Sequence, residues 1–366
     1  MSLLASGLVR MTTWSGVQRR RYPYDARLQT GLDRLAVACL RSHVPAPVSV
    51  CDLVWDWCAC RPVDTWPLVF SQDAQVDGEL LVVDGRPSEF CTEWALSVPD
   101  VAAEIHENRL VRHVQDVAAE VGRPELYAQW RAEIAQRPVL TSAEMLAVKN
   151  QHLAVPQWAA WFDDAYEPIP PESTRAGMVA VCRGCGQWAV PEEQERWRCR
   201  CWRCAYAVRL PAPAWHRVEP GMVRLRAEFV DSVALPAQAE LALARRLVAR
   251  GARVVLYPER DALDLWVSWP EGPAIAVDVK DWRQPYLLAR HLPRFPEWPD
   301  THSYAYDRAC VVVPDDRATR NSSYCSLVRK HSPMLRAQPD VEVVTSSMLV
   351  DSCPDLGEEG VITYGP

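Results

Sequence analysis

The apolar positions follow two different rhythms in the two halves of the chain. Between residues 24 and 168 the spacing is mostly helical. Leu28, Leu32, Leu35, Ala36 and Leu40 recur near a period of 3.6 residues. Ile105, Leu110, Val114, Val117 and Val121 do the same over 101–121. A further helix is expected over 124–136, stopped by Pro138. Thr141-Ser142-Ala143-Glu144 then has the form of a capping box, whose hydroxyl and carboxylate satisfy free N–H groups at the start of the next helix. From about Arg224 onward, helical stretches alternate with short β-branched runs at 253–257, 263–269, 274–279, 310–314 and 341–345. Such alternation is the mark of an α/β domain.

Between the two rhythms lie two connections. Pro168, Pro170 and Pro171 make 167–174 a stiff spacer. Pro211, Pro213 and Pro220 mark a second one. We therefore expect a multidomain chain: a mainly α-helical region over 1–170 with no catalytic motif, a cysteine-rich module over 178–208, and an α/β domain with a mixed sheet over 222–366. A length of 366 residues, with 49% hydrophobic and 24% charged residues, suffices for two or three packed cores and argues against disorder. No apolar run approaches the ~18 residues of a membrane span. The first residues have no basic stretch before their short apolar run, and Arg19-Arg20-Arg21 precedes no apolar run. The expected location is the cytoplasm.

Thirteen cysteines in a chain read this way point to thiols and a metal rather than to disulfides. Cys182-Arg183-Gly184-Cys185 and Cys201-Trp202-Arg203-Cys204 form two C-x2-C knuckles separated by fifteen residues. Four thiolates at that spacing suit a structural, tetrahedral Zn²⁺ with no open position for water, as in a zinc ribbon. Cys199 is a competing ligand for Cys201. Cys58-Ala59-Cys60, with Cys51 and His43 nearby, reads more simply as small buried side chains than as a second metal site. His106 and His113 share a helical face and read as surface residues.

The net charge of −7 means that any nucleic-acid surface must be local. Residues 175–226 hold ten arginines against four glutamates, interleaved with Trp188, Trp197 and Trp202. Guanidinium groups clamp phosphates and indoles stack on unpaired bases. Arg183, Arg198, Arg200, Arg203 and Trp202 are the candidate nucleic-acid contacts. The plainer reading of the same residues is a solvated basic face over a small zinc module.

The sharpest chemistry lies between 237 and 282. Only three of the forty basic residues are lysines: Lys149, Lys280 and Lys330. Lys280 follows Asp278 by two on an apolar strand, so both share a face. Pro270-Glu271-Gly272 suits a three-residue hairpin loop. That loop sets Trp269 against Pro273 and, further up the ladder, Asp264 against Asp278. Directly opposed residues have β-carbons about 4.5–5.5 Å apart. Two carboxylates that close call for a cation between them, and Mg²⁺ or Mn²⁺ suits oxygen donors. Asp264 and Asp278 are the candidate ligands, Lys280 the group that orients or helps deprotonate water, and Glu240 a third carboxylate on the preceding helix. Asp261, in the turn before the strand, competes with Asp264. Alone, Asp-x-Lys can be the exposed end of a buried strand.

Glu240, Asp264 and Asp278-Val279-Lys280, in that order, resemble the PD-(D/E)xK restriction-endonuclease-like nucleases over about 225–350. Asp278 stands where many members have Glu, and no proline directly precedes Asp264. The resemblance implies a restriction-endonuclease-like α/β core and metal-dependent hydrolysis of phosphodiesters in nucleic acid, DNA foremost. Leu256-Tyr257-Pro258, Asp264-Leu265 and Val277-Asp278-Val279-Lys280-Asp281-Trp282 after a zinc ribbon look, more narrowly, like the nuclease-related subunit of bacterial PIWI-RE islands. That implies a part in antiviral or antiplasmid defence beside a PIWI-like protein and a helicase. The competing classes are a non-catalytic zinc-ribbon adaptor that keeps an inactive nuclease fold, and a transcription regulator.

Overall fold

Two interleaved units make up the computed structural model, which describes residues 1–13, 24–97, 109–192, 197–199, 201–205, 212–358 and 360–366. The first unit is Met1–Val101, Trp282–Arg294 and Asp315–Val343; the second is Ala102–Asp281, Phe295–Pro314 and Val344–Pro366. Arg19-Arg20-Arg21, the 101–108 part of the helix expected over 101–121 with His106, and Arg200 lie outside the described residues.

In the first unit, the expected periodicity becomes the helix Ala26–Arg41, which buries Leu28, Leu32 and Leu35 and is capped by the Asp25 carboxylate. It lies against Ser2–Thr13 at a distance only glycines allow. A β-carbon on Gly7 would come within 2.7 Å of the Leu28 β-carbon, and one on Gly31 within 2.5 Å of Leu4. Trp57, Trp66, Phe90 and Leu53 complete this core. The helix Pro285–His291 begins with a proline. The preceding N–H groups of Arg283 and Gln284 are taken by the Glu93 carboxylate, at 2.5 and 2.9 Å. Buried Glu89 accepts from Arg317 at 2.5 Å.

In the second unit the capping box forms as expected, with the Thr141 side chain accepting from Glu144 N–H and Glu144 reaching back. The proline-rich spacer is partly strand. Tyr166–Pro168 pairs with Val223–Leu225, whose other neighbour is Val139–Leu140. Pro168 is tolerated there because Tyr166–Pro168 is an edge strand, where a missing N–H breaks no second ladder. A four-stranded sheet holds the cysteine region, in the order Trp197–Cys199, Trp188–Pro191, Met178–Val181, Ala214–Arg217.

The mixed sheet has six strands in the order Glu342–Thr345, Arg308–Val313, Ile275–Val279, Leu265–Ser268, Arg253–Leu256, Val361–Tyr364. Ile275–Val279 is buried along its whole length because strands flank it on both sides. Its hairpin partner alternates buried and half-buried positions. The register is Leu265 against Val277, Trp266 against Ala276 and Val267 against Ile275, the one that the loop residues lead to. The terminal strand Val361–Tyr364, absent from the sequence reading, pairs parallel with Arg253–Leu256. The helix Leu235–Val248 contributes Leu241, Ala244 and Leu247 to one apolar cluster with Val254, Leu256, Leu265 and Val267. Gly251, at φ +86°, ends the turn after it. No helix among the described residues is long and apolar enough to cross a membrane.

Leu265 is fully buried between helix and hairpin. Leu265→Ala should lower stability by about 2–5 kcal/mol, read as a shift in the urea midpoint. An unchanged midpoint would place this side chain outside the core.

Candidate active site

Asp264 stands at the mouth of the hairpin, one residue before Leu265–Ser268, and Asp278 is the penultimate residue of the opposing strand. Both are only 8% exposed. Lys280 Nζ donates to Asp278 Oδ1 at 2.5 Å and lies 3.8 Å from Asp264 Oδ2. Asp264 Oδ2 also accepts the Val279 N–H at 2.6 Å. Asp278 Oδ2 is buried without a hydrogen-bond donor. Burial pushes the Asp278 carboxyl up to about 7, with Lys280 opposing and Asp264 adding to the rise. Burial works against the Lys280 charge too, but the two aspartates outweigh it and hold its pKa above the ordinary lysine value.

Glu240 projects from Leu235–Val248 and is 2% exposed. Its two oxygens accept from Arg131 Nη2 at 3.0 and 3.2 Å. Burial pushes Glu240 up to about 8; Arg131 opposes this, while Asp264 and Asp261 add to it. The rival Asp261 is engaged elsewhere. Arg131 Nη1 donates to its Oδ2, and the Tyr127 hydroxyl donates to the same oxygen at 2.9 Å. The Arg131 guanidinium also lies 4.2 Å over the Tyr257 ring. What turns Asp261 that way is backbone. Tyr257, Glu259, Arg260 and Asp261 all have φ between 50° and 71°, a costly run for non-glycine residues. Tyr257 N–H to Asp264 O, at 3.0 Å, and Arg260 N–H to Pro366 O, at 2.9 Å, hold the turn.

Arg131 and Tyr127 were not found by sequence reasoning. They sit on Glu125–Gln136, four residues apart and therefore on one helical face. The only signal was an arginine on a helix rich in buried residues, and nothing local tied it to carboxylates more than a hundred residues away.

The cysteines gather as a group, but with one substitution in the expected set. Cys182, Cys185, Cys199 and Cys204 have sulfur atoms all within 4.8 Å of one another. Cys201, which the knuckle spacing selects, stays beside Cys185 and Cys204 but outside this set. The reason is strand direction. Trp197–Cys199 pairs Cys199 with Ala189 and Arg198 with Val190. Alternation turns Cys199 inward, 3.3 Å from Cys185 Sγ, while Arg198 meets Glu192 at 2.9 Å. Residue spacing counts positions along the chain but not the face on which each falls. In the knuckle, Gly184 N–H donates to Cys182 Sγ at 3.3 Å, and Gly186 takes φ +72°. Four sulfurs and no other donor fit a closed zinc site.

Of the candidate nucleic-acid contacts, Arg183 is exposed, Trp202 half-buried, Arg198 ion-paired, and Arg203 bonded to Asp281 at 2.9 Å. Trp188 is a core residue: its Nε1 donates to Leu225 O at 2.8 Å beneath the Arg224 guanidinium.

Residues 1–141 match the family described as pPIWI_RE three-gene island domain Y, and residues 237–354 match the REase associating with pPIWI_RE. Together the two matches support reading the chain as the REase-related subunit of a pPIWI_RE island. No curated protein and no solved structure matches it. The REase description points to a nuclease-related role in the pPIWI_RE system, and both descriptions point to association with the proteins of the island. Glu240, Asp264, Asp278 and Lys280 all fall in the REase match, whereas Arg131 and Tyr127 fall in the domain Y match. The cysteine cluster lies between the two.

Metal analysis of the purified pPIWI_RE subunit should find about one zinc per chain, as for a closed four-thiolate site. Cys199→Ser should lose it and Cys201→Ser keep it. The reverse result would restore the spacing-based set.

Proposed function

We propose that the protein is a Mg²⁺- or Mn²⁺-dependent nuclease of the PD-(D/E)xK type, hydrolysing phosphodiester bonds in nucleic acid, DNA foremost, as part of a cytoplasmic bacterial defence system. The observation that carries this reading is the meeting of Asp264, Asp278 and Lys280, with Asp278 Oδ2 buried and without a donor. An acceptor stranded in that way, beside a second carboxylate, fits a hard divalent cation. Asp264 and Asp278 would hold the ion.

When bound, the ion supplies Lewis acidity toward a phosphoryl oxygen. Lys280 keeps its proton at neutral pH and orients the attacking water through its ammonium. Its 2.5 Å bond to Asp278 keeps that ammonium beside the ligand oxygens. Glu240, held at both oxygens by Arg131, completes the acidic wall of the site. Arg183, exposed, and Trp202, half-buried, are the proposed contacts of the cysteine module with phosphate and base. A PIWI-like protein and a helicase are the proposed partners.

Lys280→Met and Asp278→Asn should each slow cleavage by roughly 10²–10³-fold while leaving zinc content and the far-ultraviolet spectrum unchanged. A panel of single- and double-stranded DNA and RNA with Mg²⁺ or Mn²⁺ checks this. Cutting by Lys280→Met at the wild-type rate would remove the lysine from the mechanism. Cleavage by neither protein on any substrate, with island partners added, would favour the adaptor.

The raised carboxyl of Asp278 also sets a pH dependence. The ion must displace a proton, so Mn²⁺ binding should tighten as pH rises through about 7. The metal-free protein should behave in the opposite sense. Its folded state keeps a proton that the unfolded chain has lost, so this group's contribution to stability fades as pH rises through the same value. Urea midpoints between pH 5 and 8 should fall less in Asp278→Asn than in wild type. An equal fall would show that Asp278 titrates normally.

A further inference from the structure

Two contacts tie the cysteine cluster to the two elements that carry the proposed nuclease site. The first runs through Arg203, the residue before Cys204 in the four-residue helix Trp202–Ala205. Its Nη1 donates to Asp281 Oδ2 at 2.9 Å. Asp281 directly follows Lys280, whose own N–H is fixed to Val312 O at 2.8 Å. The second contact is apolar. Leu235, the first residue of Leu235–Val248, packs against the cluster formed by Cys182, Cys199, Cys201 and Cys204. Glu240 lies five residues along the same helix.

We propose that the cysteine cluster is a brace for the carboxylate site, so that zinc in the four-thiolate set controls how well Asp264 and Asp278 bind their divalent ion. Arg203 acts as a positioning residue. This rests on the nuclease reading above and adds a means of regulation to it.

The physical argument starts from the size of the module. A helix of four residues has too few internal bonds to hold itself. Structural zinc contributes the folding free energy of such modules, so the place of Arg203 depends on the sulfurs beside it being ligated. Arg203 in turn bears on the end of the strand that presents Asp278 and Lys280. Charge-assisted bonds of this kind fix direction as well as distance. Loss of zinc, by chelation, would release Arg203 from Asp281 and loosen Leu235 at the start of the Glu240 helix. Nothing in this chain of contacts needs the zinc to touch substrate.

The test uses the full-length protein and Mn²⁺ as the probe, counting by electron paramagnetic resonance only the binding that Asp278→Asn abolishes. Zinc-loaded wild type is compared with zinc-stripped wild type, and with zinc-loaded Arg203→Gln and Arg203→Lys. Stripping zinc should weaken Mn²⁺ binding about fivefold or more, the lower end of couplings between linked sites. Arg203→Gln keeps all four sulfurs and should show a loss of similar size with zinc still bound. Arg203→Lys should recover part of it. Equal Mn²⁺ affinity in zinc-loaded wild type and Arg203→Gln would overturn the brace, even if stripping zinc unfolds the module. An absence of Mn²⁺ binding in zinc-loaded wild type would instead overturn the nuclease reading, and the brace with it.

Discussion

Three buried carboxylates and a half-buried fourth meet two cations among the described residues, and much of the second unit is arranged around that imbalance. Glu240, Asp261, Asp264 and Asp278 face Arg131 and Lys280. Charges taken out of water are tolerated only when paired, and removing one partner leaves a cost of several kcal/mol on the other. The protein meets this in two ways. Arg131 spans Glu240 and Asp261, and Lys280 spans Asp278 and Asp264. Burial first, and the neighbouring acids second, still hold the carboxyl pKa values of Glu240, Asp261 and Asp278 above the ordinary range. A divalent ion entering a site whose buried acids hold protons would have to displace them.

The same constraint explains why the turn at 257–261 takes an uncommon backbone. Asp261 lies near enough to Asp264 and Lys280 to feel both charges. The positive φ values carry it to Arg131 and Tyr127 instead, which separates the acids into two cation-bound pairs. The hydrogen bond from Arg260 N–H to Pro366 O shows how the end of the chain takes part, through the edge strand Val361–Tyr364 beside Arg253–Leu256. Contributions to the site therefore come from both matched family segments, with Arg131 in one and the aspartates in the other.

The crowd of arginine and tryptophan around the cysteines serves several purposes. Trp188 and Arg224 stack on each other inside the unit, and Arg224 continues to Glu167 and Ser173. Arg198 and Arg203 answer Glu192 and Asp281. Arg198, Arg203 and Arg224 are thus paired within the protein, and Arg183 stands exposed at the knuckle.

Local rules carried a long way in this chain. The hairpin register followed from three loop residues because a tight turn has few backbone solutions and side chains alternate strictly along a strand. The capping box followed from two side chains that reach only their own first turn. The order Glu240, Asp264, Asp278, Lys280 was legible because a rare lysine stood beside an acid on an apolar strand. Tertiary structure decided what depends on direction and on distance through space: that Cys199 rather than Cys201 turns toward the other three sulfurs, that Asp261 belongs to Arg131, and that Val361–Tyr364 closes the sheet edge. Each of those joins side chains or strands that only the packed chain brings together, and the free energy of a buried charge or a close sulfur is set by neighbours in space, which sequence spacing does not encode.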